Sequence, residues 1–166
     1  MKSKSVLAVA IFVLSALITS AQSQDKQKTP ESMIPESPAA AVARELDQDI
    51  GKMLAAWQLG NIDEMHKYYA DDATWVSGAY APPIVGWNNY VADYKQEISR
   101  ISGGQLIRRN TNFFHYNDTA WACYQWEFDG NVDGKPSSTR GQTTLVFVKT
   151  GNHWLIVHNH TSEIYP

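Results

Sequence analysis

The apolar positions of this chain change their period partway along it. Val42, Leu46, Ile50, Met53, Leu54 and Trp57 recur every three or four residues, with Arg44, Glu45, Asp47, Gln48 and Lys52 on the other side. That spacing predicts an amphipathic helix. Ser37-Pro38 supplies a hydroxyl cap and a proline for its first turn, and Gly60 supplies the stop. Asn61, with Glu64 three residues on, caps a short second helix through Tyr69 that Asp71-Asp72 ends. Residues 73–77 have strand composition and residues 78–86, with Pro82-Pro83, read as a loop. Trp87, Tyr90, Val91, Tyr94, Ile98 and Ile101 then mark a third helix running to Gly103-Gly104.

Beyond that point the period shortens to two. Residues 105–116, 119–129, 139–149 and 153–160 are β-rich. They are separated by Asn117-Asp118, by residues 130–138 with an Asp133-Gly134 turn, and by Thr150-Gly151-Asn152. Short links between long strands predict an antiparallel meander. The expected fold class is α+β: a curved antiparallel sheet wrapped around the apolar faces of three N-terminal helices. Such a sheet leaves a concave mouth where a small ligand would sit.

The first residues change the count of what folds. Lys2 and Lys4 precede an uncharged run over residues 5–23, with small residues Thr19 and Ala21 placed for cleavage. This reads as a secretory signal peptide over residues 1–21, and the apolar part is short against the roughly twenty residues a bilayer demands. Residues 22–38, polar and broken by Pro30 and Pro35, read as a disordered tether, leaving residues 39–166 as one domain. The protein is therefore expected to be exported, periplasmic or secreted, with no membrane attachment after cleavage.

Charge and cysteine content exclude several functions. The 166 residues carry 14 Lys+Arg against 17 Asp+Glu; removing Lys2 and Lys4 leaves 12 basic groups and a net charge of −5. No run of like charge offers a nucleic-acid surface. The lone Cys123 rules out an intramolecular disulfide and is expected to be buried in its apolar run. No phosphate-cradling glycine loop, Gly-x-Ser-x-Gly elbow or Cys-x-x-Cys pair is present, so nucleotide use, serine hydrolysis and thiol redox chemistry lack support. Asn117-Asp118-Thr119 and Asn159-His160-Thr161 match the N-glycosylation pattern and are read as chance.

Three stretches stand out together. The first runs from Ala56-Trp57-Gln58-Leu59-Gly60-Asn61 through Tyr68-Tyr69-Ala70-Asp71-Asp72-Ala73-Thr74-Trp75. The second is Pro83-Ile84-Val85-Gly86 before a helix, and the third is Gly151-Asn152-His153-Trp154-Leu155-Ile156-Val157-His158-Asn159-His160-Thr161-Ser162. These resemble the nuclear transport factor 2-like superfamily, which includes the SnoaL-like polyketide cyclases, ketosteroid isomerase, scytalone dehydratase and the association domain of calcium/calmodulin-dependent kinase II. The resemblance implies a cone-shaped domain, usually a homodimer packed sheet to sheet, needing no cofactor. It supplies no substrate, because this superfold hosts enzymes, binding modules and assembly domains alike.

Candidate chemistry sits on the strands. Strict alternation puts His158 and His160 on one face with Trp154 and Ile156, where a histidine serves as a base or borders the pocket. A metal there needs a further ligand, such as Glu163, His115 or Glu127, and no spacing demands one, so no metal site is assigned. Trp121, Cys123, Gln125 and Glu127 face one way, while Ala122, Tyr124, Trp126 and Phe128 face the other as core. Glu127 is then a general acid or base, or else a partner for Arg108, Arg109 or Arg140. Only one of Arg108 and Arg109 faces inward, and Arg108 is the choice for a clamp on a carboxylate or enolate. Arg140, beside Gln142 and Thr144, is a second candidate; Tyr69, Trp75 and Trp154 are expected to line the pocket. No aspartate matches the base of ketosteroid isomerase, since Asp118 and Asp129 stand at strand ends. Two functions follow. One is cofactor-free proton transfer of isomerase, dehydratase or cyclase type on a small, partly apolar organic molecule held in an aromatic-lined cone, with His158 or Glu127 as base. The other is a ligand-binding or homo-oligomerisation module without catalysis.

Overall fold

The computed structural model describes residues 36–78 and 80–164; the expected signal peptide and most of the expected tether lie outside the described residues. Helix α1 (Pro38–Leu59) begins where Ser37, in extended conformation, accepts the Ala40 N–H at 3.2 Å, and Gly60 closes it in the left-handed region. Its buried stripe is Leu46, Ile50, Met53 and Ala56. Asn61 caps α2 (Ile62–His66) by accepting the Glu64 N–H at 3.1 Å.

Strand β1 (Tyr69–Ser77) starts four residues earlier than composition suggests. Asp71 and Asp72 lie within it rather than before it, at a register shift that lets their side chains stay exposed. After β2 (Ile84–Val85), α3 (Trp87–Ile98) stops short of the expected end. Ile101 opens β3 (Ile101–Tyr116), and Gly103-Gly104 form a bulge inside that strand instead of a helix stop. β4 (Thr119–Val132) and β5 (Lys135–Thr150) are longer than expected, because the link at residues 130–138 shrinks to a tight Asp133-Gly134 turn, and β6 (His153–Ile164) runs on to pair its Ser162, Glu163 and Ile164 with residues 140–142 of β5. Arg100 holds that turn with two short bonds to the Asp133 carboxylate, 2.7 and 3.0 Å.

The six strands form one curved, unclosed sheet in the order β2-β1-β6-β5-β4-β3. β3 to β6 are the expected antiparallel meander, and β6 returns to pair in parallel with β1, making the sheet mixed. Edge strand β3 is partly covered by α1: the Leu106 N–H donates to Gln58 Oε1 at 2.9 Å, and Arg108 reaches Asp47. The core lies between the helices and the concave face, where Ala120, Ala122, Tyr124, Trp126, Phe128, Leu145, Phe147, Trp154 and Ile156 are buried. Trp126 lies flat across Gly141; a Cβ at that glycine would come within 2.5 Å of the indole.

Candidate functional site

Which side chains face the concavity is decided by register. On β4 the alternation holds: Tyr124, Trp126 and Phe128 face the core, and Trp121, Cys123, Gln125 and Glu127 face out. On β6 it does not. Phe147 pairs with Ile156 but Val146 pairs with His158, so Val157 is an extra residue and β6 is bulged there. Trp154 and Ile156 face inward before the bulge; beyond it Asn159 and Thr161 face inward and the histidines outward. The expectation that His158 and His160 share a face with Trp154 and Ile156 is thus corrected, since a single inserted residue inverts every later side chain. His158 Nδ1 lies 2.7 Å from Thr74 Oγ1, and His160 is exposed.

The other predicted residues divide in the same way. Arg108 faces inward with its side chain 16% exposed, donating to Asp47 Oδ1 at 2.6 Å and to Thr111 Oγ1 at 3.0 Å, with its guanidinium 5.8 Å from the Tyr124 ring centre. Arg109 faces outward and donates to Glu127 at 2.8 Å, the ion-pair alternative for that glutamate. Arg140 stands opposite Glu127 in the ladder and is exposed. His158, Glu127 and Arg108 are therefore not brought together: two lie on the outer face and one on the inner. Tyr69, Trp75 and Trp154 are buried on the concave side. Cys123 is half-buried on the outer face, 3.6 Å from Thr144 Oγ1, rather than in the core.

What the concave face does bring together is a set of neutral hydrogen-bonding groups. Asn159 Nδ2 donates to the Tyr69 phenol at 3.2 Å, and Thr161 Oγ1 donates to Asn159 Oδ1 at 3.0 Å. Thr161 also meets the hydroxyl of Thr143, 4% exposed, at 2.8 Å. Tyr69 packs against Trp75 at 5.1 Å and Tyr90 at 5.9 Å, and Tyr90 stacks on Trp75 at 4.2 Å. Trp87 completes this group, with the His66 ring stacked flat on it at 4.3 Å.

Three phenols converge here, those of Tyr69 and Tyr124, which are buried, and that of Tyr90, which is partly buried. Burial pushes Tyr69 up, with Asn159 and Trp75 pulling against it. Burial, then the neighbouring Tyr69 phenol and the Glu97 carboxyl, pushes Tyr90 well up. Tyr124 rises through burial and the nearby Tyr69 phenol, opposed by Thr143 and Arg108. All three stay neutral donors across the ordinary pH range. The indole N–H groups of Trp75, Trp126 and Trp154 are buried without a hydrogen-bond partner of ordinary geometry. Buried donors of this kind are costly unless something accepts from them. Arg108, by contrast, is already committed to Asp47.

Tyr124 was readable from the sequence as a polar tip on the core face of β4, and Thr143 only as the phase opposite the one expected, since Arg140, Gln142 and Thr144 turn outward and Thr143, Leu145 and Phe147 inward. Asn159 and Thr161 were not, because nothing in the residue types announces the bulge at Val157. Among the described residues, no three His, Cys, Asp or Glu side chains are grouped to hold a metal ion, and no helix is long and apolar enough to cross a membrane.

Helices followed by a curved, unclosed, six-stranded mixed sheet define the cone-shaped, nuclear transport factor 2-like class of α+β domains. Within that class the SnoaL-like domain matches residues 47–166, and the chain belongs to this family. No curated protein matches the chain in sequence. Among solved structures, a nuclear transport factor 2-like superfamily protein from Salmonella enterica superposes with a TM-score of 0.68 at 19% identity, over 76% of this chain and 93% of that one. A nuclear transport factor 2-like protein of unknown function from Pseudomonas putida gives 0.64 at 20%, over 74% and 86%. A ketosteroid isomerase-like protein from Erwinia carotovora atroseptica gives 0.62 at 16%, over 74% and 96%. At such identities the likeness is one of fold.

Proposed function

We propose that the concave face binds a small, largely apolar organic molecule and takes its oxygen acceptor with neutral donors. The observation behind this reading is the convergence of the Tyr69, Tyr90 and Tyr124 phenols beside Asn159. In a dry site, such donors polarise a carbonyl and would steady an enolate-like oxygen. Proton transfer of isomerase type fits that polarisation, and one similar solved structure is described as ketosteroid isomerase-like. The base candidates His158 and Glu127 lie on the opposite face, so binding is the part the geometry supports best. Because Arg108 is neutralised by Asp47, the preferred ligand is an uncharged ketone rather than a carboxylate. Thermal-shift titration with acetophenone and benzoate tests this: stabilisation by acetophenone alone is expected, and equal or greater stabilisation by benzoate overturns it.

Self-association through the outer face is a second reading with its own observation. Phe114, 46% exposed, stacks on Trp121 at 5.2 Å and 12°, and Val148, 37% exposed, lies on the same face with Val146. An apolar strip on a half-polar sheet face suits a second copy of the chain. Sedimentation equilibrium should show a dimer that Trp121→Lys dissociates; a monomeric wild type contradicts this reading. Export is proposed from the leader sequence, and N-terminal sequencing of the mature protein should find Gln22 first.

A further inference from the structure

At the far end of the sheet from β1, the register of β3 on β4 slips. Ser102 stands opposite Asn131 and Gln105 opposite Asp129, so Gly103 and Gly104 together face Gly130. A Cβ on Gly104 would lie 2.5 Å from the Phe128 ring, and one on Gly130 would lie 2.6 Å from the Gly104 Cα. Glycine at both positions lets the Phe128 ring lie against the bulge. That ring is one wall of a cleft of about 280 Å³, with Trp57 from the end of α1, Ile98 from the end of α3, and Ile101 and Leu106 from β3.

None of the lining side chains is ionisable, and Gln58, its largest polar one, already accepts the Leu106 N–H. An ion entering here would lose hydration without meeting an opposite charge. The volume lies just below the roughly 300–1,000 Å³ usual for small-molecule pockets, so the occupant must be small. Two aromatic side chains among the walls favour a flat occupant.

We infer that this cleft is a second binding site, distinct from the concave donor cluster, for an uncharged planar molecule of one or two fused rings. Its walls select against charge, and its occupant needs no acceptor for the phenols.

The test is a methyl-resolved NMR titration of the folded chain, labelled at isoleucine and leucine, with 1-aminonaphthalene and with naphthalene-1-sulfonate. The amine should shift the Ile98, Ile101 and Leu106 methyls saturably, and the sulfonate should bind at least tenfold more weakly. Ser102→Trp adds bulk at an exposed lining position and should weaken the amine at least tenfold while the core Leu145 methyl stays in place. Leu59→Glu, at a site 81% exposed, brings a carboxylate to the rim and should help neither probe. Four results would overturn the inference: shifts centred on Leu145 and Ile156, no saturable shift, equal affinity for both probes, or cleft methyls that move with protein concentration alone.

Discussion

The Asn159 amide donates to the Tyr69 phenol at 3.2 Å and so ties β6 to β1 across the concave face. The contact exists only because the bulge at Val157 turns Asn159 inward. Asn159→Ala would leave the Tyr69 oxygen and the Thr161 hydroxyl without that partner, at a cost of about 1–3 kcal/mol. His160→Ala, one residue on and exposed, should change stability by less than about 0.5 kcal/mol. Urea midpoints for the two variants check this, and equal effects would place the bulge wrongly.

Arg108 and Arg109 are neighbours with different surroundings. The inward pair Arg108–Asp47 is partly enclosed, whereas both members of the outward pair Arg109–Glu127 are about half exposed. Double-mutant cycles should give a coupling of about 0.5–1.5 kcal/mol for the first and less than about 0.5 kcal/mol for the second. A larger outward coupling would mean that Arg109, not Arg108, is the anchored residue.

Two glycines respond to alanine in opposite ways. Gly51 lies on an exposed turn of α1 with nothing near its Cβ position, so Gly51→Ala should stabilise by about 0.5–1 kcal/mol. At Gly141 the added methyl meets Trp126 and the Ser162 carbonyl, and Gly141→Ala should destabilise by more than about 2 kcal/mol. Thermal melts of both variants test whether Trp126 lies across β5.

The helices and the β4 faces were legible because a single period governs each. Leu46, Ile50 and Met53 can only make a helix stripe, and Tyr124, Trp126 and Phe128 can only share a strand face. The candidate site was legible in its aromatic half, Tyr69 and Trp75, and not in its polar half. Asn159 depends on a bulge set by the pairing of β5 with β6, a tertiary event with no local residue signature. The Gly103-Gly104 pair shows the same limit: as punctuation it reads equally as a helix stop or a strand bulge, and packing against Phe128 decides.

Glu97 offers a pH-dependent check. Partial desolvation of a side chain that still reaches the surface, then the charges of Asp93 and Glu163 against the pull of Arg100, raises its pKa. The folded chain thus holds this proton more tightly than the unfolded one. Its contribution is favourable while the carboxyl is protonated and is lost as pH rises through the folded value. Glu97→Gln should therefore raise the Tm at neutral pH, and the gain should vanish below the unfolded carboxylate value of about 4.3. A gain that persists in acid would point to a cause other than charge.

The most direct measurement is the ¹³C shift of carbonyl-labelled acetophenone bound to the wild type and to Tyr69→Phe, Tyr90→Phe and Tyr124→Phe. Phenols that donate to the ligand should move the bound carbonyl downfield of its value in water. At least one of the three variants should lose most of that displacement and bind about three- to tenfold more weakly, as expected for one hydrogen bond. A bound carbonyl at its aqueous shift, unchanged by all three substitutions, would contradict the account.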